Sequence, residues 1–248
     1  MDWTDRGIVL SARRHGESSV ILSLLTVEHG RHAGVVRGGQ SRRQRGVLEV
    51  GNLLSASWRA RLEEHLGNFT VELETGHAAR VLDRADRLAA LSALCATLDG
   101  CLAEREPHPA LFASTLHLIE TLENGPFAAR YAMWEFNLLG ELGFGLDLTS
   151  CAATGVTEDL IYVSPRSGQA VSRSAGEPYR DKLLALPEFL KGGTLANADD
   201  VLNGLRLTGY FLDRHVSQPE GRSLPDARER LIGLLRRAAE SGLLELDA

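Results

Sequence analysis

Between residues 6 and 75 the apolar positions recur with a period of two. Ile8, Leu10 and Ala12 alternate with Val9, Ser11 and Arg13, and residues 18–27 (SSVILSLLTV) are dense in β-branched and apolar side chains. His29-Gly30 is a turn signal, after which RHAGVVRG resumes the strand pattern. Residues 38–46 (GGQSRRQRG) are polar and glycine-flanked and read as a loop. Side chains alternate across a strand, so Leu54, Ala56, Trp58, Ala60 and Leu62 share one face while Ser55, Ser57, Arg59 and Arg61 share the other. Residues 68–74 (NFTVELE) supply a fifth strand. Five short strands in about 70 residues predict a small barrel, and the OB-fold is the commonest five-stranded candidate.

From about residue 78 the period becomes helical. Val81, Leu82, Ala85, Leu88, Leu91, Cys95, Leu98 and Leu102 recur at steps of one, three and four, and Leu111, Phe112, Thr115, Leu116, Ile119 and Leu122 form a second stripe. Phe127, Tyr131, Trp134 and Leu138 form a third, with Pro126 well placed for a first helical turn. Residues 143–176 break this pattern with Gly, Ser and Thr and contain one short strand at LIYVS and a second at QAVS. Helices are expected again over 177–190, 197–214 and 225–244. The fold class is therefore α+β: an OB-fold barrel over residues 1–78, then a helical domain over 79–248 carrying a small irregular β insertion.

Charge sharpens this division. Residues 1–62 hold ten arginines against five acids, a balance of +5, so the remaining residues carry -11 of the total -6. A basic module sits on an acidic body, and a whole-chain pI of 5.8 conceals it. Arginine outnumbers lysine along the whole chain, with only Lys182 and Lys191 present, so the preference for arginine itself reflects genome composition. The clustering is the informative part. Arg31, Arg37, Arg42, Arg43 and Arg45 occur with no acid among them, and such a patch gains affinity for phosphates through counterion release. Arg31 and Arg37 share strand parity, as do Arg59 and Arg61. Aromatic residues are scarce here: Trp3, Trp58 and Phe69, with Trp58 on the apolar face. That predicts phosphate-dominated contact without a base-stacking platform. His29 and His32 flank a turn and read as solvated loop side chains.

Enzymatic motifs are missing. Lys182 and Lys191 follow Asp181 and Leu190, so neither closes a P-loop, and no G-x-S-x-G, H-E-x-x-H or G-x-G-x-x-G occurs. Cys95 and Cys101 fall within a helical apolar stripe, and Cys151 stands without a partner three residues on, where Thr154 lies. Structural zinc takes about four ligands, usually paired, so no metal or other cofactor is expected. The odd, sparse cysteine count also argues against a secreted disulfide framework. No apolar run reaches about 18 residues, and the N-terminus lacks the features of a signal peptide, so the expectation is a cytoplasmic, nucleoid-associated protein without membrane contact.

The run GIVLSARRHGESSVILSLLTVEHGRHAGVVRGGQSRRQR resembles the N-terminus of the RecO family of recombination mediators. It has an apolar strand, the basic pair Arg13-Arg14, Gly16-Glu17, a second strand, Thr26 and Gly30, and a third strand ending at Arg37-Gly38 before a basic loop. The later run LLGELGFGLDLTSCAATGVTEDLIYVSPRSGQAVS is similar to the family's central segment. The resemblance implies an OB domain and a helical domain, binding of single- and double-stranded DNA, and annealing of complementary strands. It implies the partners RecR and single-strand binding protein, the latter through its acidic C-terminal tail, and indirectly RecA, loaded onto coated single strands. It implies no enzymatic activity. Some relatives carry a four-cysteine zinc site in the central segment; with Cys151 alone, residues 143–176 stand in its place. On this reading Arg13, Arg14, Arg31, Arg37, Arg42, Arg43, Arg45, Arg59 and Arg61 contact phosphates. The alternative is an adaptor that does not bind DNA and whose basic face docks acidic protein tails.

Overall fold

A computed structural model of the chain describes residues 1–62, 64–193 and 197–246. The chain divides into two compact units, Met1–Asn124 with Pro225–Leu231, and Gly125–Leu224 with Ile232–Ala248.

In the first unit, five strands close a barrel in the order β1-β2-β3-β5-β4: β1 (Asp2–His15), β2 (Ser19–Thr26), β3 (Arg31–Val36), β4 (Leu53–Arg59) and β5 (Asn68–Thr75). The long β1 pairs with β4 through Asp2–Ile8 and with β2 through Gly7–His15. One strand serves both sides because a register shift between Val9 and Ser11 bends it, as an extra residue in an antiparallel pair does. A single parallel pairing, Val35 with Asn68, closes the ring. This is the OB-fold arrangement. Val9, Val20, Leu22, Leu24, Leu54 and Trp58 are among the side chains that fill its interior.

The alternation expected along β1 and β2 fails at their centres, where Gly7–Leu10 and Leu22–Thr26 are buried on both faces. The cause is a helical cover. After α2 (His77–Arg80), helices α3 (Ala85–Cys101) and α4 (Pro109–Asn124) pack on β1 and β2 respectively. Asp99 of α3 fastens this cover: it accepts a hydrogen bond from Ser23 Oγ at 2.7 Å and pairs with Arg13 at 3.0 Å and Arg31 at 3.6 Å.

Residues 38–46 are not simply a loop. Arg42–Val47 form a short helix, α1, opened by Ser41, whose side chain accepts from the Gln44 amide. No residue of α1 is buried, so no apolar stripe announces it. It is clamped from outside. Gln40 donates to the carbonyls of Gly16 and Ser19, and Asn52 donates to those of Gly46 and Val47.

In the second unit, α5 (Ala128–Glu141) packs on α7 (Ala198–Leu212), and Thr208 Oγ1 donates to the buried carboxylate of Glu135 at 2.5 Å. A three-stranded sheet in the order β7-β6-β8 joins Leu160–Val163 (β6), Ala170–Ser172 (β7) and Leu184–Ala185 (β8), with one turn of helix, α6 (Arg173–Gly176), after β7. The helix expected over 177–190 is absent. Glu177–Lys182 and Glu188–Lys191 are 3₁₀ turns, and β8 between them pairs with Tyr162 and Val163. Pro187 explains the break, because it lacks an amide donor and disfavours helix in the residue before it. The last helix, α8, spans Asp226–Glu240. Among the described residues no helix is long and apolar enough to cross a membrane.

Candidate nucleic-acid interface

The nine arginines named from the sequence fall into two groups. Arg13 and Arg31 face Asp99 of α3. Arg31 also donates from Nε to the Leu102 carbonyl at 2.9 Å, lies 3.6 Å from Glu104, and keeps only 20% of its side chain exposed. Its guanidinium is spent on holding the helical cover to the barrel. Arg13 is three-quarters exposed but shares the same carboxylate.

Arg14, Arg37, Arg42, Arg43, Arg45, Arg59 and Arg61 are all exposed, and none has an ion-pair partner among the described residues. Several of them gather around α1. Arg37 and Arg59 line one open cleft of about 710 Å³ together with Gln44 of α1. Arg14 and Arg45 line a second, of about 300 Å³, with Gln40 and Glu49. Arg42 and Arg43 project from the helix itself. Arg45 is steadied by its Nε donating to the Gln40 carbonyl at 3.1 Å. Arg61 lies beyond the end of β4, so the strand parity drawn with Arg59 does not extend to it, and Leu62 is exposed, off the apolar face.

Trp58 is 1% exposed, in the barrel core, as its strand parity predicted, but it does not stand apart from the other rings of this module. Trp3, Trp58 and Phe69 converge with two histidines. Trp3 stacks on His29 at 4.0 Å with 9° between planes, and lies 5.8 Å from Trp58 at 19°. His32 meets Trp58 edge-on at 4.7 Å. Far from being a solvated loop side chain, His32 is 3% exposed, on the inward parity of β3 with Gly34 and Val36. Neither of its ring nitrogens has a hydrogen-bond partner of good geometry among the described residues. That parity was legible; the convergence of rings from β1, β3, β4 and β5 was not.

Burial pushes the His32 imidazole down to about 4, and the Arg105 guanidinium and His29 add to the effect against a weaker pull from the His29 backbone. An unfolded histidine titrates near 6.5. Between these values the unfolded chain binds a proton that the folded chain refuses. Stability therefore falls as pH drops from about 6.5 to about 4, by about 2–3 kcal/mol in all. The His32→Phe variant should lack this part of the acid loss. Urea midpoints at pH 7 and 4.5 check it; parallel losses in parent and variant would contradict a buried neutral His32.

The central segment does not fit zinc. Among the described residues no three histidine, cysteine or carboxylate side chains are placed to hold a metal. Cys151 Sγ instead accepts from the Ser172 amide at 3.3 Å and the Ser172 hydroxyl at 3.4 Å. Burial pushes this thiol up, but hydrogen bonds from Ser172, Thr154 and Ala153 outweigh it and leave it at about 6. Thr154, in the place of a paired cysteine, thus serves the sulfur as a donor. Hydrogen bonding to Cys151, and not apolar packing alone, ties β7 to the preceding turn.

Fold and site together define an OB-barrel protein with exposed arginines that lack an ionic partner among the described residues, followed by a helical region with a small sheet. Residues 1–76 match the family model described as Recombination protein O N terminal, and residues 82–225 match Recombination protein O C terminal. The chain is 56% identical over 240 residues to "DNA repair protein RecO" of Rhodospirillum centenum, with 96% of each chain covered. It is 51% identical to the protein of that name from Rhodospirillum rubrum, covering 96% of this chain and 97% of that one, and 49% identical to that of Jannaschia sp., covering 98% and 99%. The chain belongs to the RecO family, and its role is in DNA repair.

Proposed function

We propose that the protein binds single- and double-stranded DNA through the exposed arginines of the barrel and anneals complementary strands. The observation that carries this reading is the set Arg14, Arg37, Arg42, Arg43, Arg45, Arg59 and Arg61, exposed and without ionic partners among the described residues. Unpaired guanidiniums are well suited to phosphate oxygens, and each phosphate neutralised releases counterions. Screening two strands at once lowers their repulsion, so that base pairing proceeds without any bond being made or broken by the protein. On this reading the chain acts within DNA repair as a mediator. With RecR, and through the acidic tail of single-strand binding protein, it would help RecA load onto coated single strands.

The test is a mobility and annealing assay on the full chain without nucleotide cofactor. Binding should be similar across sequences and weaken steeply with salt, and complementary oligonucleotides should anneal faster with the protein present. No binding at low salt, alongside salt-sensitive capture of an acidic peptide, would instead favour the adaptor.

A further inference from the structure

Helix α1 forms a ridge between two open clefts. At about 100° per residue, Gln44 and Val47 fall on one side of α1, and Arg42, Arg45 and Gly46 fall on the other. Val47 packs against the barrel core, so the second side faces outward. Arg42, Arg45 and Gly46 are exposed accordingly, and so is Arg43 beside them. Gly46 keeps the middle of this face low. A Cβ added there would meet nothing within 4 Å, and its backbone lies outside the left-handed region, so the fold itself does not require glycine. Glycine weakens a helix, and one use that offsets this is close approach of a ligand to the backbone.

The two clefts share no lining residue. The larger lies over the end of β3 and the paired ends of β4 and β5, and takes Gln44 from α1. The smaller lies over the end of β1 and the start of β2, and takes Arg45 from α1. Each sets two arginines against one carboxylate: Arg37 and Arg59 against Asp2, and Arg14 and Arg45 against Glu49. The result is a cationic ridge with a net-positive channel on either side. A B-form duplex has the matching relief. Its major groove, about 12 Å wide, admits an α-helix of about 10–12 Å diameter and is walled by two phosphate backbones; the minor groove, about 6 Å wide, is too narrow. A single strand has no such groove and would occupy one channel at a time. We propose that α1 enters the major groove of duplex DNA with one backbone in each cleft. Arg37 and Arg59 then face one strand, Arg14 and Arg45 face the other, and Arg42 and Arg43 reach the groove walls between them. This inference rests on the DNA-binding reading and adds to it a geometry for the annealed product. Gripping both backbones at duplex spacing favours the paired state, and guanidiniums turned to phosphates leave the base sequence unread.

The experiment measures the affinity of the full chain for a short duplex and for the same duplex with a glucosylated hydroxymethyl group at C5 of every cytosine. Groups at pyrimidine C5 project into the major groove, so the modified duplex should bind about tenfold more weakly at the same phosphate count. The plain and glucosylated single strands should bind within about twofold of each other, since their phosphates are alike. Netropsin, which fills the minor groove, should not displace the protein from the plain duplex. On the protein side, Gly46→Leu adds bulk to the outer face of α1 in open space and suits a helix better than glycine. It should weaken duplex binding several-fold more than single-strand binding. Equal affinity for the plain and glucosylated duplexes, displacement by netropsin, or equal losses on both DNA forms in Gly46→Leu would overturn the groove geometry and leave the phosphate reading standing. Binding of no DNA in either form would overturn this inference together with the DNA-binding reading on which it rests.

Discussion

Replacing Arg42, Arg43 and Arg45 together with alanine should weaken single-strand binding about a hundredfold at about 0.1 M salt. The size follows from counterion release: each phosphate contact contributes about 0.7 to the slope of log K against log salt on single strands, so three contribute about 2. Extrapolated from about 1 M salt, where the release term vanishes, that slope corresponds to about two decades at about 0.1 M. On duplex the slope should fall by nearer 2.7, at about 0.9 per contact. Annealing should drop in parallel, since screening is the proposed mechanism. Stability should change by less than about 1 kcal/mol, because the three side chains are exposed, alanine favours helix, and the one hydrogen bond lost is that of Arg45 to Gln40. Arg31→Ala is the contrasting variant. It removes the tie to Asp99 and to the Leu102 carbonyl, so it should lower the unfolding midpoint and leave the salt slope nearly unchanged. A triple variant that binds like the parent at two salt concentrations would exclude α1 from the interface.

Gly30→Ala should be the most destabilising small substitution in the barrel unit, at about 2–5 kcal/mol. Gly30 has φ 62°, which costs an ordinary residue about 1–2 kcal/mol. A Cβ there would also sit 2.0 Å from the Glu106 carbonyl oxygen, which is backbone and cannot swing aside. Relieving that clash means moving the segment that follows α3, where the Arg105 amide meets the Arg31 carbonyl, at a further cost typical of overpacking, about 1–3 kcal/mol. Gly16→Ala separates the two contributions. Its φ is 60°, but nothing lies within 4 Å of the added Cβ, so only the backbone cost of about 1 kcal/mol should appear. Urea unfolding of the pair measures the difference. Equal losses would mean that the 102–106 segment yields freely and does not brace the barrel.

Much of the fold was legible because the barrel obeys a local rule. The inward positions Leu54, Ala56 and Trp58 alternate with outward Ser55, Ser57 and Arg59, and that period needs no knowledge of distant residues. Prediction erred where a neighbour overrode the local pattern. The short helix α1 buries nothing, so it has no apolar signature; Gln40 and Asn52, bonded to carbonyls around it, make it a helix. Residues 177–190 carry enough leucine to suggest a helix, yet Pro187 and pairing with β6 turn them into 3₁₀ turns and an edge strand.

The candidate interface divides in the same way. Charge is additive along a chain, so the excess of arginine over residues 1–62, like the absence of enzymatic motifs, was determined by the sequence alone. Whether a given arginine is free depends on what folds against it. Arg31 and Arg42 look alike as letters, but Arg31 meets Asp99 from 68 positions further along while Arg42 meets no carboxylate among the described residues. The ring cluster is decided only in three dimensions. Trp3, His29, His32, Trp58 and Phe69 are spread over 67 residues, and closure of the barrel brings their rings together around the unpaired nitrogens of His32. Alternation can tell that a side chain points inward, but only the register between strands tells which others it will meet.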